Sequence, residues 1–223
     1  EKSNFVEKGI HSIFDINETD TLNERQTIII QSYQTQQIHL NVERLQAFTN
    51  ALQFPAYYFD IEAFQPAIPI FKNTKPYERV PFLYSLHYKE SAESELKHIC
   101  YISPVGSDDR INFIEHFLNA TQNTGQILVF NTLMEKGILF RMMHDFPQYK
   151  KDILERINRI IDIEIPFKEM YYYHPNQQGS FSLKAIGNAM LQRNEFSKSQ
   201  VKDGEEAMAL YNELFYWENK QDI

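Results

Sequence analysis

Apolar and polar positions change period along this chain, and each change marks an element. Residues 57–64, Tyr-Tyr-Phe-Asp-Ile-Glu-Ala-Phe, are apolar except at Asp60 and Glu62 and read as a β-strand. Residues 83–88 and 98–102 read as two further strands, joined into a hairpin by the polar stretch 89–97. Ile111, Ile114, Phe117 and Leu118 then recur at helical spacing behind an acidic start, which predicts an amphipathic helix over 108–121. Gly125 stops it. The continuous run Ile127-Leu128-Val129-Phe130 suits a strand buried on both faces.

After Asn131 the pattern predicts a helix over 133–144 with Glu135 in its first turn, a break at Phe146-Pro147, and a helix over 149–157. A fifth strand over 159–163 carries the carboxylate of Asp162, and a short helix over 166–172 and a turn-rich loop over 174–179 follow. Helices are predicted over 180–191 and 203–217, the latter with Ala207, Leu210, Tyr211, Leu214 and Phe215 as its buried stripe.

Before the first strand, residues 1–50 are polar and helical in pattern, punctuated by Ile10, Ile13 and Ile16. Val42, Leu45, Phe48 and Leu52 predict a helix over 41–52 that Pro55 ends, and this part reads as a connector or small helical subdomain. Pro66, Pro69 and Pro76 mark a surface excursion after the first strand. The order of elements indicates an α/β fold with a mixed five-stranded sheet flanked by helices and an N-terminal helical extension. The expected division is 1–54 helical, 55–218 the main domain, and 219–223 a tail.

Composition narrows the class. Of 223 residues, 43% are hydrophobic and 14% aromatic, ample for a packed core. The single cysteine, Cys100, excludes a disulfide framework or a cysteine-rich zinc site and fits a reducing compartment. No run reaches membrane-spanning length and no secretion signal opens the chain, so a cytoplasmic protein is expected. The first residue is Glu1 rather than a methionine, consistent with a part of something longer. A net charge of −8 opposes broad electrostatic capture of nucleic acid, unless the acidic residues gather in a metal site.

The candidate chemistry starts with Asp60 and Glu62. Two residues apart on a strand, they emerge on one face of the sheet. Anions that close repel, so one holds a proton or a cation lies between them, and a divalent cation is the usual countercharge. The plainer alternative is that Glu62 marks the wet end of the strand and Asp60 caps the next turn.

Three segments line up in order: Asp60-x-Glu62 on a strand, Asn131-x-x-Met134-Glu135 after a buried strand, and Asp203-Gly204-Glu205-Glu206-Ala207 opening the last helix. They resemble the three motifs of the DEDD, or DnaQ-like, 3′–5′ exonucleases, whose fold is ribonuclease H-like. The resemblance spans residues 56–216. The wording at 58–62, 81–87, 171–175 and 179–185 is similar to that of an uncharacterised bacterial domain family placed in that superfamily, which often follows a RecB-like nuclease segment. The resemblance implies a nuclease using two magnesium or manganese ions and acting on nucleic acid at a single-stranded end, with a possible upstream nuclease domain. It gives Asp60 as bridging both metals, Glu62 and Asp203 as ligands of the water-activating metal, and Glu135 as ligand of the second. Asn131 would orient that motif, and Asp162 would face the site.

Two departures stand out. The second motif normally carries aspartate where this chain has Glu135. The positions of the family's general base, histidine or tyrosine, are Lys198 and Ser199. An unshifted lysine stays protonated at neutral pH and is no ready base. His174 is the candidate substitute, with capping of the turn at Pro175 as its alternative role. Ser182 and Lys184 are candidates for holding a phosphate, Lys184 otherwise extending over a helix surface. Tyr171, Tyr172 and Tyr173 either stack bases or fill a core. His87, at a strand end, reads as packed or solvated. These departures leave a second expectation beside the exonuclease: a catalytically impaired ribonuclease H-like module that binds nucleic acid or protein for a larger nuclease.

Overall fold

The computed structural model describes residues 2–16, 22–192, 201 and 203–218, with side chains for residues 5–16, 22–192, 201 and 203–216. In chain order its elements are α1 (Lys2–Glu7), α2 (Glu24–Thr35), β1 (His39–Leu40), α3 (Val42–Asn50), β2 (Ala56–Phe64), β3 (Val80–Lys89) and β4 (Lys97–Ile102). There follow α4 (Arg110–Ala120), β5 (Gln126–Val129), α5 (Leu133–Asp145), α6 (Lys150–Asn158) and β6 (Ile160–Asp162). The chain ends with α7 (Ile165–Lys168), β7 (Tyr172–Tyr173), α8 (Leu183–Leu191) and α9 (Gly204–Glu218). Two compact units emerge, one of residues 1–51 with 164–196 and one of 52–163 with 197–223. Among the described residues no helix is long and apolar enough to cross a membrane.

The second unit holds a five-stranded sheet in the order β4-β3-β2-β5-β6. β2, β3 and β4 pair antiparallel as a meander, while β5 joins β2 and β6 joins β5 in parallel. This mixed sheet with flanking helices is the expected ribonuclease H-like α/β fold. Alternation along β2 sends Tyr57, Phe59 and Ile61 into the core and leaves Tyr58, Asp60 and Glu62 on the other face. Phe59 stacks on Phe117 of α4 with ring centroids 4.7 Å apart. Full burial of Phe113 and Phe117 contributes about 1.5–3 kcal/mol each.

Two helix faces differ from the sequence reading. On α4 the buried apolar residues are Phe113, Ile114 and Phe117, whereas Ile111 is 42% exposed. The aromatic ring of Phe113 fills the space beside Tyr84, which rotates Ile111 outward. Among the described side chains of α9, Tyr211 and Phe215 are buried, joined by the partly buried Ala207 and Met208. They pack on Phe64 and Phe82, Tyr211 stacking on Phe82 at 4.2 Å, and this narrow i, i+4 seam leaves Leu210 and Leu214 in solvent.

The proline-containing excursion 65–79 is pinned by ion pairs. Arg110, 6% exposed, binds Asp108 at 2.7 Å and Asp145 at 3.2 Å and donates to the Lys72 carbonyl at 3.1 Å. Arg141 pairs with Glu78 and Asp145, both at 2.9 Å, and donates to the Asn73 carbonyl at 2.8 Å. At the centre of the network Asp145, its side chain 5% exposed, accepts from both arginines, which compensates its charge where water does not reach it.

In the first unit β1 pairs antiparallel with β7, His39 opposite Tyr173 and Leu40 opposite Tyr172. The sequence predicted neither strand. Two residues are too short for a period, and the helix expected over 166–172 ends at Lys168, leaving Tyr172 free to pair. Tyr173 is fully buried and its hydroxyl accepts the Gly179 N–H at 2.9 Å, which gives it the core role.

Candidate functional site

β2, β5 and β6 run parallel, so their C-terminal ends open on one edge of the second unit. Open α/β sheets bind ligands at that edge. Asp60 and Glu62 arrive there from β2, and a register irregularity between Glu62 and Ala63 bends the strand immediately beyond them. Such a bulge re-aims neighbouring side chains. Asp162 arrives at the end of β6, opposite Val129.

The turn from β5 into α5 brings the next group. Asn131 adopts φ 65°, a left-handed conformation that asparagine tolerates better than most residues, and its Oδ1 accepts the Leu133 N–H at 3.4 Å. Asp162 accepts the Asn131 N–H at 3.1 Å and lies 3.5 Å from the Thr132 N–H. An anion thus caps the positive end of α5, which itself lacks a side-chain cap at Thr132. So positioned, the first turn of α5 buries Glu135 to 3% exposure, with its Oε2 finding no hydrogen-bond partner among the described residues.

Asp203 comes from the other end of the chain. Its Oδ1 accepts the Glu206 N–H at 3.0 Å and its carbonyl the Ala207 N–H at 3.1 Å, so it caps α9. Gly204, next to it, faces Glu62: a Cβ added there would stand 2.3 Å from Glu62 Oε2 and 2.6 Å from Oε1. Only a glycine lets the Glu62 carboxylate lie against the helix start. In the sequence, the Asp-Gly pair that opens the helix is the signal for this close approach.

The carboxylates feel one another. Glu62 is pushed up to about 7 by burial, then by the charges of Asp60 and Asp203. Glu135 is also pushed up to about 7, by burial first, its own N–H opposing and Asp60, Asp162 and Glu62 adding. Asp60 is raised by burial against the lowering effect of a hydrogen bond from the Ile61 backbone. As the side chains stand, no group of three or more His, Cys, Asp or Glu among the described residues is arranged to hold a metal ion. The donor set nevertheless suits a hard cation: among the described residues it offers carboxylate oxygens only, one of them buried without a hydrogen-bond partner, and the charges acting on Glu62 and Glu135 are all negative.

The other candidates lie apart in the chain. His174, Ser182 and Lys184 belong to the first unit. His174 Nδ1 accepts the Asn176 N–H at 3.1 Å and caps a 3-10 turn over Pro175–Gln177. A ring so engaged carries its neutral proton on Nε2, and acting as a base would require giving up the cap. Ser182 caps α8, its hydroxyl accepting the Ala185 N–H at 3.2 Å, and Lys184 is exposed in the first turn of that helix. His87 stacks on His98 across β3 and β4 at 4.1 Å. Lys198 and Ser199 lie outside the described residues, as does the tail 219–223.

A family model described as a domain of unknown function (DUF2779) matches residues 57–182, more than half of the chain. The chain belongs to this family. The DUF2779 match opens at β2 and takes in Asp60, Glu62, Asn131, Glu135, Asp162 and His174, closing at Ser182, while Asp203 and α9 lie beyond it. No curated protein and no solved structure matches the chain.

Proposed function

We propose that this DUF2779 protein is a metal-dependent nuclease of the DEDD type, a 3′–5′ exonuclease acting on DNA or RNA. One observation carries the reading: Asp60, Glu62, Glu135, Asp162 and Asp203, scattered through the sequence, meet at one edge of a ribonuclease H-like sheet, where, among the described residues, the charges that shift Glu62 and Glu135 are all carboxylates. Asp60, Glu62, Glu135 and Asp203 would hold magnesium or manganese. Bound there, the ions supply Lewis-acid stabilisation of phosphoryl charge and a more acidic water.

The residues of the chain prepare the site for that occupancy. Glu62 and Glu135 are each partly protonated near neutral pH, so binding a cation displaces protons from them. Asp162 and Asn131 hold the α5 turn so that Glu135 enters at a fixed depth. Gly204 keeps the α9 start clear for Glu62.

The second reading, a module of impaired catalysis serving a larger nuclease, draws on one observation: among the described residues the carboxylates as placed do not form a three-ligand cluster. Degradation of 3′-labelled and 5′-labelled single-stranded DNA and RNA with manganese separates the two. Mononucleotide released first from the 3′ end, and lost in Asp60→Ala, supports the exonuclease. Manganese bound without turnover supports the module.

A further inference from the structure

Beside the carboxylate edge lies an open pocket of about 460 Å³ in the second unit, lined among others by Gln65, Tyr77, Arg79, Gly137 and Arg141. Its wall on one side is α5, where Ile138 sits three residues, or about one helical turn, beyond Glu135. Its opposite wall is the pinned excursion, which begins at Gln65 directly after β2.

Tyr77 is held there against its backbone preference. At φ 59° it occupies the left-handed region, which bulky side chains rarely enter, and its side chain is 68% exposed. The conformation is fixed from both sides, the Tyr77 N–H donating to the Pro66 carbonyl at 2.9 Å and Gln65 Nε2 to the Tyr77 carbonyl at 3.2 Å. Nothing in the core needs this ring. Strain kept by surrounding bonds while the side chain faces solvent is a mark of a working surface.

Charge and shape add to this. Arg79 is exposed and makes no ion pair among the described residues, whereas Arg141 is already engaged by Glu78 and Asp145. Gly137 leaves the α5 flank bare, with nothing within 4 Å of where its Cβ would be. A free guanidinium, a projecting aromatic face and a flat helix flank together match one ligand chemistry, a phosphodiester followed by a base.

From this juxtaposition we infer that the Tyr77 and Arg79 pocket binds one nucleotide unit of a single-stranded nucleic acid, Arg79 on its phosphate and Tyr77 stacked on its base. The inference rests on the nuclease reading and names where the strand lies as it leaves the carboxylate edge. Arg79 supplies the positive charge that an acidic chain otherwise withholds from such a ligand.

The test is fluorescence anisotropy of labelled oligothymidylate and oligouridylate on the full chain with calcium present. Arg79→Glu should weaken binding by about tenfold, and Tyr77→Gly by about fivefold or more. Tyr77→Gly should also raise the melting temperature, because glycine relieves the left-handed strain; a loss of binding with a gain of stability cannot come from misfolding. Binding unchanged in both variants, or no oligonucleotide binding by the unsubstituted chain, overturns the inference. Turnover of thymidine 5′-(p-nitrophenyl phosphate) by the unsubstituted chain with manganese tests the nuclease reading separately. Turnover with binding unchanged in the variants sinks the pocket alone, and absence of both turnover and binding sinks both.

Discussion

Replacing Glu135 by glutamine perturbs the carboxylate edge at its deepest point. Glu135 is 3% exposed and its carboxyl is pushed from 4.5 up to about 7. A group that holds its proton more tightly when folded stabilises the fold while protonated. That contribution is complete below about 4.5 and is lost as pH rises through about 7. At about 1.4 kcal/mol for each tenfold change in proton affinity, the displacement amounts to roughly 3 kcal/mol. Glu62 moves the same way, with a smaller contribution because water reaches and screens it. The metal-free protein should therefore lose stability between pH 5 and pH 8, the reverse of ordinary acid denaturation by paired carboxylates. Glu135→Gln cannot ionise, so its loss over the same range should be smaller by roughly 3 kcal/mol. Urea unfolding followed by circular dichroism at both pH values, with chelator present, measures the difference. Equal losses in the two proteins would refute the reasoning, since Glu135 would then ionise freely and could not lie among the other carboxylates.

Other perturbations reach the same edge from different sides. Gly204→Ala places a methyl against the Glu62 carboxylate, which can swing away; stability should stay within about 1 kcal/mol while manganese affinity falls at least about tenfold, and unchanged affinity by calorimetry would remove Glu62 from the site. Asp60→Asn should stabilise the metal-free protein at pH 8 by on the order of 1 kcal/mol through relief of repulsion, a gain that should vanish at pH 4 where Glu62 and Glu135 are protonated. Arg110→Ala removes one of the two arginines that hold buried Asp145, Arg141 remaining, and should cost about 1.5–3 kcal/mol in urea unfolding; a loss below about 0.5 kcal/mol would show the Arg110 arm of the network to be ornamental.

Much of the second unit could be read from the chain because its signals are local. The alternation through Tyr57, Phe59 and Ile61 announces β2, and the apolar run at 127–130 announces a doubly covered strand, so the mixed sheet follows from order alone. Helix faces were harder. Ile111 and Phe113 both fit a helical stripe, and only the position of Tyr84 on a distant strand decides that the phenylalanine turns inward. The short pairing of His39 and Leu40 with Tyr173 and Tyr172 has no period at all and depends on contacts more than a hundred residues apart. At the candidate site, residue type and order singled out the carboxylates as candidates, but not their supports. The Asp162 bonds to the Asn131 and Thr132 backbone, the close approach of Glu62 to Gly204 and the left-handed Tyr77 arise from three-dimensional approach, for which sequence offers only a glycine here and a proline-rich loop there. His174 illustrates the converse: its residue type suggested a base, and its neighbour Pro175 correctly offered the capping alternative now seen at Asn176.

The most direct test of the central claim is calorimetric titration of manganese into the full chain and its Asp60→Ala variant at pH 7.5. The account predicts saturable binding by the unsubstituted chain, with protons released as Glu62 and Glu135 give them up, and loss of that binding in the variant while the fold is retained. Equal heats in the two proteins, or none in either, would contradict it.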